Sequence, residues 1–357
     1  MDKHLIVLLL SLTITACAGP TTPFGAVHTI KKPNKKKFVE ARTTREIVMK
    51  PSTPKMYFYP QKQVLHQAND LIIQIHDPKG VDYGYQFNIY YNGYDVTNSI
   101  SLQRKDSLQR DKNQILITIP KLKIQAEKEN DIQFVYAHNS RSTPIMSSFE
   151  KPTCNIYANF RPRMENTFRV PASYVEGINF LSTEAKYNPS YFAGLIAQES
   201  SFDPKAVSWA KAIGLTQITN LAEEEIIDDY PHWPRNPKVG VVNYAYLKTL
   251  IYLGKINERN EWRLDPMYSM RGGISYLQYL DNYWRKAQNI TLVKAVYANV
   301  DQGLTDVITA SYNSGPSRVR RALETRGYNW INDNELGEAK KYINRISSYC
   351  YHFAERE

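Results

Sequence analysis

The sequence lacks the short motifs by which the commonest enzyme classes are recognised. No G-x-x-x-x-G-K-[ST] loop for nucleotide phosphates and no G-x-S-x-G turn for a serine nucleophile occurs anywhere in it. The seven histidines are scattered, and none lies at metal-ligand spacing from another histidine or from a cysteine. We therefore expect neither a metal nor a cofactor.

Cysteines and long apolar runs are also scarce. Three cysteines in 357 residues are too few for a disulfide scaffold. The apolar stretch 5–16 is short, whereas a helix that crosses a bilayer needs about 20 residues. Because 42% of the residues are hydrophobic and 22% are charged, the chain can still bury a proper core. Its length predicts two or three domains at about 150 residues each.

Positive charge is in excess, but most of the excess is confined to one segment. The formal net charge is +10, and residues 31–50 hold eight basic and two acidic residues, which is +6. Such a segment is typical of a solvated linker, and it could also contact an anionic surface. Because little excess remains elsewhere, we do not expect nucleic acid to be a partner.

The N-terminal residues predict the compartment. Lys3 precedes the apolar stretch 5–16, whose length and position fit a signal peptide. The stretch ends in Ile14-Thr15-Ala16-Cys17, which resembles the lipobox of bacterial lipoproteins, in which the cysteine is lipidated; ordinary secretory cleavage near Ala16 is the alternative. Ala18 in place of Asp resembles the outer-membrane sorting pattern of Gram-negative bacteria. We therefore expect a periplasmic protein that is lipid-anchored to the outer membrane through Cys17.

Residues 17–54 are polar and predict a tether, and residues 55–150 predict β-structure. Apolar residues alternate with polar ones along 85–91, 115–119 and 132–136, as a half-buried strand requires. Asn92-Gly93 is a strong hairpin signal, because both positions of that turn need a positive φ. Short strands separated by turns predict an immunoglobulin-like sandwich, although no Cys…Trp…Cys spacing supports a true immunoglobulin domain. This part carries no catalytic constellation, so we interpret it as a spacer or a binding module whose partner is unknown.

Beyond residue 150 the apolar spacing becomes helical. Pro171 precedes Val175, Ile178 and Leu181 at helical spacing, and 241–254, 270–286 and 302–312 also predict helices. The predicted organisation is therefore multidomain, and its parts are a signal peptide at 1–16, a tether at 17–54, an all-β module at 55–150 and a mostly α domain at 151–357.

Glu199 stands where an apolar residue is expected. It lies seven residues after Phe192, and seven steps of about 100° return it to the apolar stripe of the predicted helix. A carboxylate on a buried face has a raised pKa, which suits a general acid near neutral pH. A glutamate at a frayed helix end or beside an arginine would produce the same pattern, so the spacing alone is a weak signal.

The residues around Glu199 strengthen the signal, because they fall into ordered blocks. The blocks are Glu199-Ser200 with Phe202-Asp203-Pro204, Ser208 with Gly214-Leu215-Thr216-Gln217, Asp265-Pro266 with Gly273 and Tyr276-Leu277, Ala310-Ser311-Tyr312-Asn313-Ser314-Gly315, and Glu338 with Tyr342-Ile343. Their order over about 175 residues resembles the signature of the family 1 lytic transglycosylases. The resemblance covers about the last 200 residues and does not extend to residues 1–150.

The resemblance implies a lysozyme-like, mostly helical fold that acts on peptidoglycan glycan strands. Glu199 would be the single catalytic acid and later the base in cleaving the MurNAc-β-1,4-GlcNAc bond to a 1,6-anhydroMurNAc end. The family's substrate-binding positions are matched by Ser208, Gln217, Tyr312, Asn313, Glu338 and Tyr342. Asp203, the nearest other carboxylate, lies in a turn and is expected to bond nearby backbone.

The chain departs from the family pattern near the Gly-Leu-x-Gln block. Thr216 and Thr219 stand where methionines are common, and Lys211 stands where a glycine is usual. The segment from Thr219 to Asp265 is longer than usual and carries an acidic cluster. Two alternatives to a lyase stay open, a goose-type lysozyme that hydrolyses the same bond and a non-catalytic glycan-binding scaffold lipoprotein.

Two cysteines other than Cys17 flank the predicted α domain. In an oxidising periplasm, Cys154 and Cys350 are expected to form a disulfide, since the ends of a domain often lie close together. Free buried thiols are the alternative.

Overall fold

The computed structural model describes residues 53–59, 70–100, 102–106, 113–120, 125–148, 153–158, 162, 170–235 and 242–354. The predicted signal peptide, Cys17 and the basic stretch 31–50 lie outside the described residues. In the described part, no helix combines the length and the apolar character that crossing a bilayer requires.

The first half of the described chain forms two antiparallel four-stranded sheets. One sheet has the order β1-β2-β6-β5 and the other the order β4-β3-β7-β8. The strands are β1 Lys55–Tyr59, β2 Leu71–His76, β3 Gln86–Tyr91, β4 Tyr94–Asp95, β5 Gln103–Asp106, β6 Gln114–Ile119, β7 Ile132–Ala137 and β8 Ile145–Ser148. The expected hairpin joins β3 to β4, with a φ of 50° at Asn92 and 83° at Gly93.

The two sheets share one apolar core, which the alternating sequence explains. Ile73 of β2 pairs with Ile117 of β6, and both are fully buried. In the other sheet, Ile89 of β3 pairs with Phe134 of β7, and both side chains are buried. The Phe58 and Phe134 rings, one from each sheet, lie 5.1 Å apart, so the apolar faces pack against each other.

The second half is mostly helical. Its helices are α1 Ala172–Glu184, α2 Pro189–Ser200, α3 Asn220–Asp229, α4 Tyr244–Tyr252, α5 Pro266–Arg285, α6 Ala287–Val296, α7 Val300–Ser314, α8 Pro316–Arg326 and α9 Gly337–Phe353. Short 3₁₀ turns cover Trp262–Leu264, Gly327–Asn332 and Asn334–Leu336. The helices predicted at 241–254, 270–286 and 302–312 correspond to α4, α5 and α7.

Helix α2 is the buried centre of this half. Asn188 caps it by accepting a hydrogen bond from the Ser190 backbone, and residues 189–197 are all buried. Helix α9 packs closely along α2, and Gly194 makes the approach possible, because a Cβ there would lie 3.1 Å from the Ile346 carbonyl oxygen. This close packing positions the end of α2 against α9.

Cys154 and Cys350 are joined by a disulfide, the pairing that the sequence predicts. The Asn188 side chain lies beside the bond, with Nδ2 3.6 Å from the Cys154 sulfur and 2.9 Å from the Asn155 carbonyl oxygen. The disulfide therefore links α9 to the chain segment before α1, next to the cap of α2.

The loop before β7 contacts α9 directly. Asn130 Nδ2 donates to Ser348 Oγ over 2.7 Å, and Arg345 pairs with Glu129 at 3.2 Å. Ala126 of the same loop belongs to the apolar core of the helical half. Helix α9 thus contacts the β-strand part on one side and α2 on another.

Candidate active site

Glu199 lies in the last turn of α2, where the chain changes direction sharply. Ser201 and Phe202 follow with φ values of 51° and 64°, so α2 ends in two consecutive left-handed residues. The Ser200 hydroxyl donates to the Ile196 and Leu215 carbonyl oxygens, the second over 2.9 Å. These bonds fix the end of α2 to the segment that carries Gln217.

The Glu199 side chain is partly buried and hydrogen-bonded to α9. Tyr342 donates its hydroxyl to Glu199 Oε1. Burial raises the pKa of Glu199 to about 7, and the Tyr342 hydrogen bond opposes that rise because it favours the anion. A carboxyl with this pKa can exchange a proton in either direction near neutral pH.

Tyr312 from α7 completes the surroundings of Glu199. Its hydroxyl donates to the Thr216 carbonyl oxygen over 2.8 Å, and its ring packs edge-on against Tyr276, 5.2 Å away. Burial raises the pKa values of Tyr312 and Tyr342, and the charge of Glu199 raises both further. The structure therefore brings three predicted site residues together from three helices that are distant in sequence.

Glu199 stands as a single acid. Burial and the Tyr342 hydrogen bond account for the shift in its pKa, and no second carboxylate of the described residues contributes to it. Asp203 Oδ1 instead accepts from the Lys205 backbone over 2.9 Å, as expected for a turn.

Gln217 and Ser208 hold the loop that faces the end of α2. Gln217 has a φ of 49°, and its Nε2 donates to the Gly214 and Ala206 carbonyl oxygens over 2.8 and 3.0 Å. Ser208 Oγ accepts from the Ala212 backbone over 3.1 Å. The Gln217 amide nitrogen is thus engaged by the backbone of its own loop.

Two further predicted site residues are exposed and, among the residues that the structure describes, bond only to their own neighbours in sequence. Asn313 is exposed beside Tyr312, and its Oδ1 accepts from Ser314. The Glu338 carboxylate is exposed in the first turn of α9 and pairs with Lys341 at 3.3 Å. Within the described chain, neither forms a hydrogen bond to Glu199.

The residues that depart from the family pattern have structural roles. Thr216 is fully buried and donates to the Ser269 carbonyl oxygen over 2.7 Å, and Thr219 caps α3. Lys211 has a φ of 61°, so it adopts the left-handed conformation that a glycine would take without strain. The backbone at position 211 thus keeps the left-handed conformation that glycine favours, although the residue here is a lysine.

Sequence reasoning missed Tyr191 and the ion pair between Glu261 and Arg263. Tyr191 lies on α2, bonds Thr309 over 2.8 Å, and is close enough for the Glu199 charge to raise its pKa. Arg263 pairs with Glu261 at 2.8 Å with both side chains buried, and it also reaches the Ile218 carbonyl oxygen. Tyr191 and Arg263 belong to none of the sequence blocks around Glu199. No motif in the sequence therefore indicates them.

The described residues contain no group of three or more histidine, cysteine, aspartate or glutamate side chains placed to hold a metal ion.

A family model matches the part of the chain that contains Glu199. Residues 176–238, which include Glu199, Ser208 and Gln217, match the family described as "Transglycosylase SLT domain". The match covers less than half of the chain. No curated protein matches the chain significantly.

Two solved structures are similar to part of the chain. The 70 kDa soluble lytic transglycosylase of Escherichia coli is 21% identical with a TM-score of 0.34, over 52% of this chain and 24% of that one. An inactive mutant of the lytic transglycosylase Slt of Pseudomonas aeruginosa is 19% identical with a TM-score of 0.35, over 51% and 24%. The match thus spans about a quarter of each of those proteins.

Proposed function

We propose that this protein is a peptidoglycan lytic transglycosylase that cleaves the MurNAc-β-1,4-GlcNAc bond and leaves a 1,6-anhydroMurNAc end. The observation that carries the proposal is Glu199, a single, partly buried acid with a pKa near 7 inside the segment that matches the SLT domain. Glycosidases usually use two carboxylates, so a lone acid suits a substrate that supplies its own nucleophile.

In this mechanism Glu199 acts twice. Its carboxyl first protonates the glycosidic oxygen as the bond from C1 to that oxygen breaks, while the acetamido oxygen of the same sugar bonds C1. The Glu199 carboxylate then removes the proton of the sugar's C6 hydroxyl, and the C6 oxygen displaces the acetamido oxygen from C1. The ring closes without water, and Glu199 ends protonated, ready for the next cycle.

The neighbours of Glu199 have matching tasks. Tyr342 donates to Oε1, so it orients the carboxyl and stabilises its anion after the first proton transfer. We assign the carbonyl oxygen of Gln217 to accept from an acetamido N–H; the support is that its own Nε2 already donates to the loop backbone. Tyr312 is fixed by Thr216 and forms a wall of the site.

The same chain is proposed to be a lipoprotein of the Gram-negative outer membrane, anchored through Cys17 and facing the periplasm. The support is the sequence of residues 1–18. A lipidated cysteine with two or more acyl chains holds a protein stably on a membrane. The tether at 17–54 would then separate the anchor from the folded part, with the module boundary near residue 150.

For the β-strand part we propose an immunoglobulin-like sandwich. In such domains strands A, B, E and D form one sheet, and C, F and G form the other, which C′ can extend. The order β1-β2-β6-β5 corresponds to ABED, and β4-β3-β7-β8 corresponds to C′CFG. This agreement in strand order supports the proposal in the absence of the usual Cys…Trp…Cys spacing.

The test is a digest of purified peptidoglycan by the full chain, read by mass spectrometry, beside Glu199→Gln and the control Glu258→Gln. Glu258 is an exposed glutamate after α4. We expect anhydro-muropeptides from the wild type and the control, and a loss of about 10²–10⁴-fold in Glu199→Gln, the range for removing a general acid.

The other outcomes separate the alternatives. Products that carry one more water, with reducing ends, would assign the chain to the lysozymes. Binding to peptidoglycan without any cleavage by the wild type would contradict both enzymes and leave a glycan-binding scaffold.

A further inference from the structure

Helix α4 carries apolar side chains on its exposed face as well as on its buried one. Leu247 and Ile251 are buried in an apolar cluster beneath the helix. Tyr246, Tyr252 and Leu253 are 57%, 86% and 57% exposed. At about 100° per residue, these three side chains lie within an arc of about 120° whose centre is opposite the buried pair. A helix on a protein surface usually carries charged or polar residues there, so this face is unusual for a helix that contacts only water.

Trp209 adds a fourth exposed side chain beside the first turn of α4. Its ring is 82% exposed and stacks on Tyr244 of α4, with the ring centres 4.2 Å apart. Val207 and Ile213, on either side of Trp209 in the chain, belong to the apolar cluster beneath α4. The Trp209 loop and α4 are therefore packed as one unit. We call its four exposed side chains the α4 patch, and they are Trp209, Tyr246, Tyr252 and Leu253.

The segments that form the α4 patch have an excess of positive charge. Residues 204–219 and 242–257 contain no aspartate or glutamate, and the next acidic residues in sequence are Asp203 and Glu258. The exposed lysines of these segments are Lys205, Lys248 and Lys255. A partner of the patch therefore has to accept apolar side chains and positive charge together.

This combination of aromatic side chains and lysines favours a lipid surface as the partner. Tryptophan and tyrosine are enriched where a bilayer meets water, and lysines attract a protein to anionic lipids. Lysine is depleted at interfaces between proteins, which makes a protein partner a poorer match. Sites for small ligands are concave, whereas Trp209 and Tyr252, each more than four-fifths exposed, project from the surface.

We propose that the α4 patch binds the surface of a bilayer that contains anionic phospholipid, with α4 parallel to the membrane plane. With nine residues, α4 is about 14 Å long and cannot cross a hydrocarbon core of about 30 Å. An interfacial helix instead buries its apolar face about 5–10 Å deep and keeps its lysines among the headgroups. This contact goes beyond the proposed reaction, and it is separate from the proposed anchor at Cys17.

The test places an environment-sensitive fluorophore on the exposed face of α4 in the full chain. Ala245→Cys provides the thiol, and Cys17→Ser removes the other free one, since Cys154 and Cys350 are joined. We expect vesicles of phosphatidylethanolamine and phosphatidylglycerol to shift the emission of the label to shorter wavelength. A label on Ala295→Cys, an exposed alanine of α6, should not shift. Any attachment through residues 1–16 is common to both chains and cannot produce this difference.

Matched substitutions test which side chains make the contact. Tyr252→Ser with Leu253→Ser should raise the lipid concentration for half of the shift about tenfold or more, because less apolar area enters the bilayer. Tyr328→Ser with Leu221→Ser removes a tyrosine and a leucine that are 77% and 76% exposed elsewhere, and it should leave that concentration unchanged. Vesicles of phosphatidylcholine, which carry no net charge, should bind more weakly because the lysines lose their anionic partners.

Several results would overturn the assignment. Equal shifts of the two labels would show that α4 does not enter the bilayer, and equal binding of neutral and anionic vesicles would show that the lysines take no part. A shift of the α4 label with chitohexaose in place of vesicles would assign the patch to glycan. A shift on raising the protein concentration alone would assign it to a second copy of the chain. Because no measurement involves cleavage, a chain that fails here can still be the proposed lyase.

Discussion

The protonation state of Glu199 sets the pH range in which the proposed reaction can run. Its carboxyl has to be protonated to act as the acid, so kcat/KM should fall as the pH rises above about 7. In Tyr342→Phe the hydrogen bond that favours the anion is lost, which raises the pKa of Glu199 further. We expect the alkaline limb of the pH–rate profile to move to higher pH in this variant. Tyr328→Phe, which changes an exposed tyrosine, should leave the limb in place, and an unmoved limb in Tyr342→Phe would contradict the role of Tyr342.

The same carboxyl should lower the stability of the folded chain at alkaline pH. Its pKa rises from 4.5 to about 7 on folding, so the free energy of unfolding should fall as the pH increases through that interval. Below about pH 4.5 both states are protonated and the effect is absent. Glu199→Gln keeps a neutral side chain throughout and should be up to about 3 kcal/mol more stable than the wild type at pH 8, but not at pH 4.5. Urea unfolding at both pH values measures the difference, and Glu258→Gln should show none.

At the scale of single residues, the sequence could indicate a carboxylate on a buried helix face but not its partner. The spacing after Phe192 places Glu199 on the apolar stripe of the helix, a weak signal that the surrounding blocks strengthen. Tyr342 lies 143 residues further along, and its contact with Glu199 depends on how α9 packs against α2. Spacing carries no information on such a contact, so only the family resemblance indicated Tyr342.

Among the elements, the loop that carries Gln217 depends on a glycine. Gly214 has a φ of +81°, and an added Cβ would overlap the Arg263 carbonyl oxygen. Gly254 has a similar φ of +69°, but nothing lies within 4 Å of the position of its Cβ. We expect Gly254→Ala to cost about 1 kcal/mol through backbone strain alone, and Gly214→Ala about 3–5 kcal/mol because overlap is added to that strain. Urea unfolding measures the free energy of unfolding of both variants. An equal decrease in the two would show that the close approach of Gly214 to the Arg263 carbonyl does not contribute to stability.

Element types followed from the sequence more readily than element packing. The alternation along 115–119 predicts a strand because every second residue faces the core, and β6 has that pattern. The insertion between Thr219 and Asp265 forms α3 and α4, and it is fixed by the buried pair of Glu261 and Arg263. Buried ion pairs of this kind have no periodic signal, so this contact could not be predicted from the sequence.

For the whole molecule, the disulfide should be the strongest single covalent restraint on unfolding. Cys154 and Cys350 are 196 residues apart, and closing so long a loop is worth about 5 kcal/mol in the chain-entropy account. We expect urea unfolding to give the double variant Cys154→Ala, Cys350→Ala a free energy of unfolding lower than that of the oxidised wild type by up to that amount. Reduction should bring the wild type close to the variant. A wild type whose mass with a thiol-blocking reagent is the same before and after reduction would show that the bond is not formed.

Because α9 follows α2 by more than 130 residues in the chain, the surroundings of Glu199 are completed late in synthesis. Glu199 is synthesised 143 residues before the tyrosine whose hydroxyl contacts it. At about 5–20 residues per second, the growing chain carries the acid for roughly 7–30 s before α9 exists to enclose it. During that interval Glu199 lies on a helix without its main packing partner, and its carboxyl keeps the ordinary acidity of an exposed glutamate. A chain released before α9 is made would therefore lack the Tyr342 contact that the proposed activity requires.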